Sequence, residues 1–196
     1  DWSSDVCSSD LAARNVSLQL SGRHQVANAL AAATFAMAAS MSLDEAADGL
    51  CAAEPRSRWR MEVRESAGGV TVINDAYNAN PESTAAALQA LSSIGSGRRT
   101  WAVLGEMREI GEGSATEHAN VGRLAAALGI GKVIVVGEGA RAITEGCPAA
   151  VWVPDADAAI AVLSGEVVSG DVVLVKASRS IGLDRVAVAL VGEEAA

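Results

Sequence analysis

Four short segments concentrate the side chains able to bind or transform a ligand. The first, Asn74-Asp75-Ala76-Tyr77-Asn78-Ala79-Asn80-Pro81, follows an apolar run and holds a carboxylate, three amides and the only tyrosine of the chain. Asn80 ahead of Pro81 fits a helix N-cap with proline at the first helical position, and Asn78 fits an Asx turn. Neither accounts for Asp75 and Tyr77, which are candidates to face a ligand. The second segment, Leu104-Gly105-Glu106-Met107-Arg108-Glu109-Ile110-Gly111-Glu112, spaces three carboxylates by three residues, a pattern open to cation binding, base chemistry or plain solvation. His118, farther on, reads as a packing or surface histidine rather than a ligand. The third, Gly137-Glu138-Gly139-Ala140-Arg141-Ala142, has the G-x-G-x-x-A form of a dinucleotide fingerprint, with Asp155 eighteen residues on. In a chain with 19 glycines that pattern is weak. The fourth, Val175-Lys176-Ala177-Ser178-Arg179-Ser180, offers two cations and two hydroxyls, which suit carboxylate or phosphate recognition. Upstream, His24 and Asn28 lie four apart and share a helix face, either as satisfied buried polar groups or as an edge for a nucleobase.

Something must hold these segments in place. Apolar runs predict strands over 60–65, 70–74, 100–104, 132–136, 151–153 and 172–175. Helical patterns predict helices over 81–93, 114–128, 139–145, 155–164 and 183–191. Val133 to Val136 and Val172 to Val175 are continuously apolar, as expected of strands covered on both faces of a parallel sheet. Strand–helix alternation of this kind implies an α/β fold with a Rossmann-like, mostly parallel sheet and helices on both faces. Ligands of such sheets bind beyond the carboxyl ends of the strands, which is where the four segments fall. Ahead of this region, Val16–Leu20 alternates like the tail of a strand. A helix is expected over 24–39, with Val26, Leu30, Ala33 and Met37 near one face, and Ser42-Leu43-Asp44-Glu45 has the spacing of a capping box before a second helix.

Composition excludes several classes of function. The 196 residues carry a formal charge of −9, against the clustered basic charge that nucleic-acid binding requires. Roughly a fifth are alanine and only 3% aromatic, which favours helices packed closely on a sheet over an aromatic-rich β-sandwich. The longest apolar run, Ala29 to Ala39, is broken by Thr34 and is too short for a membrane span. Cys51 and Cys147 lack metal-ligand spacing and read as reduced thiols, so a cytoplasmic protein is expected. Residues 1–10 contain neither alanine nor glycine, show no periodicity and lack the features of a signal peptide. They resemble translated sequencing adapter, and without their three aspartates the charge becomes −9 + 3 = −6.

Taken together, Gly22-Arg23-His24…Asn28-Ala29-Leu30, Ser57-Arg58, Asn74-Asp75-Ala76-Tyr77-Asn78-Ala79-Asn80-Pro81, Leu104-Gly105-Glu106-Met107…Glu109-Ile110-Gly111 and Val175-Lys176-Ala177-Ser178-Arg179 resemble the Mur ligases of peptidoglycan synthesis. The resemblance runs in order through residues 14–191. Within the family it is to the member that adds D-alanyl-D-alanine to UDP-N-acetylmuramoyl-tripeptide. It implies three parts: an adapter-derived segment at 1–10, the helical remnant of a central ATP-binding domain at 11–55, and a C-terminal domain at 56–196. It also implies an ATP-dependent amide ligase acting through an acyl phosphate in the cytoplasm, without nucleic-acid or membrane partners and as a monomer. The resemblance carries nucleotide contacts to His24, Asn28, Arg58, Asp75, Tyr77 and Asn78, and substrate contacts to Asn80, Lys176, Ser178 and Arg179. Asn74 stands where relatives often have a second aspartate, and Ser57 where a glycine is common. No G-x-x-x-x-G-K-[ST] occurs in the chain. The Mg²⁺ ligands are expected in the central domain, no metal ligand or catalytic group is assigned here, and the chain alone is expected to be inactive. A non-catalytic Rossmann-like binding module, or a ligase of the folylpolyglutamate or cyanophycin synthetase type, remain the alternatives.

Overall fold

The computed structural model describes residues 12–19, 24–53 and 59–192, and its contacts divide the chain into a unit ending at Arg56 and a unit beginning at Ser57. In the first unit, α1 (His24–Ala38) and α2 (Leu43–Cys51) pack together. The capping box forms as its spacing predicts: the Glu45 N–H donates to Ser42 Oγ at 3.2 Å and the Ser42 N–H donates to Glu45 Oε2 at 2.8 Å. Hydrogen bonds from Ser42 hold the Glu45 carboxyl below the usual carboxylate range. The expected strand tail is absent over 16–19, and Leu20 lies outside the described residues. A strand needs a ladder, and here the Ser17 N–H donates to Cys51 Sγ and Gln19 Nε2 donates to the Cys51 carbonyl instead. Val26, Leu30, Phe35 and Met37 on α1 are exposed. Among the described residues no helix is long and apolar enough to cross a membrane.

The second unit is a six-stranded sheet flanked by helices on both faces. Its strands are β1 (Glu62–Glu65), β2 (Thr71–Asp75), β3 (Thr100–Leu104), β4 (Lys132–Val136), β5 (Val151–Val153) and β6 (Val172–Lys176). The spatial order is β1-β2-β6-β3-β4-β5, with β1 antiparallel to β2 and all other pairs parallel. The helices are α3 (Pro81–Ile94), α4 (Ser114–Ala127), α5 (Ile143–Gly146), α6 (Ala156–Glu166) and α7 (Asp184–Val191). Strand side chains alternate between two cores. Val172 and Leu174 join Leu88, Leu91 and Val121 on the α3–α4–α5 face, while Val173 and Val175 join Leu163 and Val186 on the α6–α7 face. That two-sided burial is why β6 reads as an unbroken apolar run.

The predicted strands and helices match with small shifts at their ends, except over 139–145. That stretch is a 3₁₀ turn (Glu138–Ala140) followed by the short α5. The connectivity matters most for the site. After the edge strand β5, α6 carries the chain back across the sheet, so β6 inserts between β2 and β3. The loops that follow these three strands thereby become neighbours.

Candidate functional site at the carboxyl ends of β2, β6 and β3

The register sets the centre of the site. Asp75 stands opposite Lys176 across the β2–β6 ladder, and Lys176 stands opposite Leu104 across the β6–β3 ladder. Lys176 is only 2% exposed, and a buried ammonium must be paired to be tolerated. Its Nζ donates to Asp75 Oδ2 and to the Asn78 carbonyl, each at 2.7 Å, and lies 3.5 Å from the Asp75 carbonyl. Burial pulls this lysine below its ordinary range; Asp75 opposes the shift and the charge of Arg60 adds to it. Asp75 Oδ1 accepts the Met61 N–H at 3.0 Å, so one carboxylate ties the entry into β1, the end of β2 and the end of β6 together. Lys176 therefore works from inside, stapling the Asp75–Asn78 turn onto β6.

The loops above this pair are fixed by local capping. Asn80 Oδ1 accepts the Ser83 N–H at 2.7 Å and the Asn80 N–H donates to Ser83 Oγ at 3.1 Å, a reciprocal cap on α3 with Pro81 at its start. Asn78 Oδ1 accepts the Ala79 N–H at 2.9 Å, and Asn74 Oδ1 accepts the Ala76 N–H at 3.2 Å. Ser178, buried, accepts the Arg108 N–H on Oγ at 2.9 Å, and its own N–H donates to the Glu106 carbonyl at 3.0 Å. The β3 and β6 loops thus remain bonded to each other beyond the sheet. His118, fully buried in α4, accepts the Met107 N–H on Nε2 at 2.9 Å. Its Nδ1 lies 2.7 Å from the Ser114 carbonyl, which requires the neutral ring with the proton on Nδ1. It is a packing histidine that satisfies a backbone N–H no strand can satisfy.

Cationic and aromatic groups gather at the mouth. The Arg60 guanidinium lies 4.4 Å from the centre of the Tyr77 ring, and that of Arg179 lies 5.4 Å from the same ring and 5.6 Å from that of Trp59. Beside them opens a cavity of about 810 Å³ lined by Asn78, Arg108, Glu109, Ser178, Arg179 and Ser180.

The structure thus brings together Asp75, Tyr77, Asn78, Asn80, Lys176, Ser178 and Arg179, which are scattered over a hundred positions of the chain. Of these, Asn78, Ser178 and Arg179 line the cavity, while the side chains of Asn80 and Lys176 are engaged within the protein. Asn28 is exposed on α1, where its Nδ2 donates to Gln25 Oε1 at 3.0 Å. His24 opens α1, and its side chain and all of Arg58 lie outside the described residues. The three evenly spaced carboxylates diverge. Glu106 pairs with Arg108 (3.5 Å), Glu109 lines the cavity and Glu112 lies exposed in a 3₁₀ turn. Among the described residues no three acidic, histidine or cysteine side chains group as a metal site. In the G-x-G-x-x-A segment, a Cβ on Gly139 would stand 2.5 Å from Glu106 Cδ, so this glycine makes room for a neighbouring carboxylate. Trp59, Arg60 and Arg108 are not predicted from the sequence, whereas Ser180 is one of the two hydroxyls of the fourth segment. Arg56, Arg58 and Arg60 cluster in the sequence, and that clustering does not say which arginine meets Tyr77.

Residues 59–179 match the family described as Mur ligase, glutamate ligase domain. The chain is 47% identical to the UDP-N-acetylmuramoyl-tripeptide–D-alanyl-D-alanine ligase of Mycobacterium leprae over 93% of its own length and 40% of that protein's. Among solved structures it is similar to MurF from Acinetobacter baumannii (TM-score 0.81, 30% identity, 91% of this chain and 39% of that one). It is also similar to MurF ligase from Thermotoga maritima in complex with ADP (TM-score 0.75, 27% identity, 88% of this chain and 39% of that one). The chain spans about 40% of the length of the curated relatives it matches.

Proposed function

This chain belongs to the Mur ligase family, and on that premise we propose that it supplies the C-terminal domain of an ATP-dependent amide ligase joining D-alanyl-D-alanine to UDP-N-acetylmuramoyl-tripeptide. The observation that carries the reading is the insertion of β6 between β2 and β3. It sets the Asp75–Asn80 loop, the Lys176–Ser180 loop and the Gly105–Glu109 loop around one mouth. The 47% identity to a ligase named for that reaction supports the choice of substrates. The exposed apolar residues of α1 agree with residues 11–55 being the remnant of a central domain.

A carboxylate is a poor electrophile, and bound ATP supplies the phosphoryl group that converts it into an acyl phosphate with a good leaving group. The chain's own residues then bind, orient and offset charge. Asp75 is partly exposed, and lone pairs left over from Met61 and Lys176 suit the hydroxyls of a ribose. Tyr77, with the guanidinium groups of Arg60 and Arg179 over its ring, makes a positively charged aromatic surface, which fits the phosphates of a nucleotide. Asn78 borders the same mouth, and His24, Asn28 and Arg58 belong to the same proposed nucleotide set. Ser178 and Arg179 face the incoming dipeptide, while Lys176 and Asn80 hold the loop that presents Asp75 and Tyr77. Guanidinium groups fixed beforehand offset negative charge that builds on oxygen as the amine attacks. Mg²⁺ belongs with the central domain in this reading, and the protein works as a cytoplasmic monomer.

The test is a graft in which residues 59–192 replace the matching segment of the Mycobacterium leprae ligase. Phosphate release should require ATP, the UDP-linked tripeptide and D-alanyl-D-alanine together, and Asp75→Ala should lower it at least a hundredfold. A graft that melts cooperatively yet releases no phosphate with all three present refutes the reading. The 196-residue chain alone should neither hydrolyse ATP nor ligate, and turnover by it would overturn that expectation.

A further inference from the structure

The cavity beside the Asp75–Lys176 pair has an uneven charge pattern. Two of its six lining residues are arginines, one is a carboxylate and two are serines. Arg108 is braced, with Nε 3.5 Å from Glu106 Oε2 and Nη1 donating to Ser180 Oγ at 3.0 Å. Arg179 lies over the Trp59 and Tyr77 rings, and no carboxylate pairs with it among the described residues. Its N–H edges are therefore open to a planar anion such as a carboxylate. Glu109 is exposed at the cavity and has no hydrogen-bond or ion-pair partner among the described residues. Its backbone lies at φ +65°, a left-handed conformation that glycine tolerates and glutamate does not favour. Strained backbone of this kind clusters where a side chain must be aimed at a ligand.

Two arginines alone would accept any anion, phosphate included. A carboxylate in the same cavity repels a polyanion and favours a ligand that carries one positive and one negative end. We infer that this cavity recognises the incoming dipeptide as a zwitterion, with Glu109 receiving its ammonium group and Arg108 and Arg179 its carboxylate. This rests on the reading that the amine-bearing substrate docks on this domain, and it adds the groups that read its two charged ends. Lys176, internally paired, takes no part in that contact.

The experiment titrates the isotopically labelled 196-residue chain with D-alanyl-D-alanine, N-acetyl-D-alanyl-D-alanine and inorganic phosphate, following backbone amides 105–111 and 177–182 by NMR. The free dipeptide should bind at least tenfold tighter than its N-acetyl form. Glu109→Gln should erase that difference and tighten phosphate severalfold. Glu109→Gly, which suits the left-handed backbone, should lose the same discrimination while its Tm holds or rises, so that loss of folding cannot explain the result. Equal binding of the free and N-acetylated dipeptides, no binding of these or of L-alanyl-L-alanine, or unchanged discrimination in Glu109→Gln overturns the inference. The two readings fail separately. If the grafted ligase joins D-alanyl-D-alanine and Glu109→Gln leaves its KM for the dipeptide unchanged, the zwitterion cradle falls and the ligase reading stands. If the cradle binds L-alanyl-L-alanine in place of the D-dipeptide, the cradle stands and the D-alanyl-D-alanine assignment falls.

Discussion

The two ends of the central strands solve the problem of a buried charge in opposite ways. At the amino ends of β3 and β6, Asp171 is 2% exposed, and every bond it makes is to the protein. Arg99 donates to both of its oxygens, from Nε at 2.9 Å and from Nη2 at 2.6 Å. The Trp101 indole N–H (3.0 Å) and the Val168 N–H (3.1 Å) complete the set. At the carboxyl ends the buried charge is the cation Lys176, closed off by Asp75 and by the backbone of the Asn78 turn. Around it lie further charges, Arg60, Arg179 and Glu109, whose partners are aromatic rings or open cavity. One end is a closed knot. The other is a knot beneath charges that have no ionic partner among the described residues, and these are what a ligand can pair with. Burial of an ion pair therefore does not mark the site; leftover hydrogen-bonding capacity beside one does.

Substitutions can break this contrast in graded steps. The largest loss of stability should come from Lys176→Met, which strands Asp75 and the Asn78 carbonyl; we expect about 3 to 5 kcal/mol by urea denaturation. If the Lys176 knot were dispensable the change would be near neutral, and the two ends would differ in kind. Asp171→Asn should cost about 2 to 3 kcal/mol and leave ligand binding intact. Burial alone would push the Asp171 carboxyl up, but the hydrogen bonds from Arg99, Val168 and Trp101 and the charge of Arg99 hold it below the ordinary 3.8. A lowered carboxyl stabilises the fold above its unfolded value and ceases to do so as pH falls through the folded value. Acid melts should therefore lose stability from about pH 4 downward in the parent, and less steeply in Asp171→Asn.

Smaller effects sharpen the comparison. His118→Leu leaves the Met107 N–H unpaired in the interior and should cost about 1 to 3 kcal/mol, with amide exchange rising across 105–109 rather than across 171–173. Arg179→Ala, at an exposed position, should change stability by no more than about 0.5 kcal/mol. Its binding of D-alanyl-D-alanine should nonetheless weaken at least tenfold. A stability loss from Arg179→Ala as large as that from Asp171→Asn would mean that the carboxyl end is as closed as the amino end.

Much of this was readable in the chain because it is local. Strands β3, β4 and β5 begin and end where the apolar runs do, and the caps on α2 and α3 follow from Ser42…Glu45 and Asn80-Pro81…Ser83. The short α5 falls short of the helix that the pattern over 139–145 predicts, because composition does not reveal that the stretch begins as a 3₁₀ turn. The strand tail at 16–19 failed for another reason: alternation shows readiness to pair, and a strand forms only where a ladder partner is present.

The same division runs through the site. By itself the sequence determined which loops follow strands and which side chains they carry, since residue type, turn propensity and periodicity act over a few neighbours. It also determined that Asp75, Tyr77 and Lys176 were unusual among their surroundings. Only the tertiary structure decided that β6 lies between β2 and β3, so that Lys176 meets a carboxylate 101 positions earlier in the chain. It alone turned Lys176 inward, left Arg179 and Glu109 at the cavity, and placed Glu109 in the left-handed region. These outcomes depend on strand order and on competition among distant groups for the same hydrogen bonds, and no window of sequence contains both competitors.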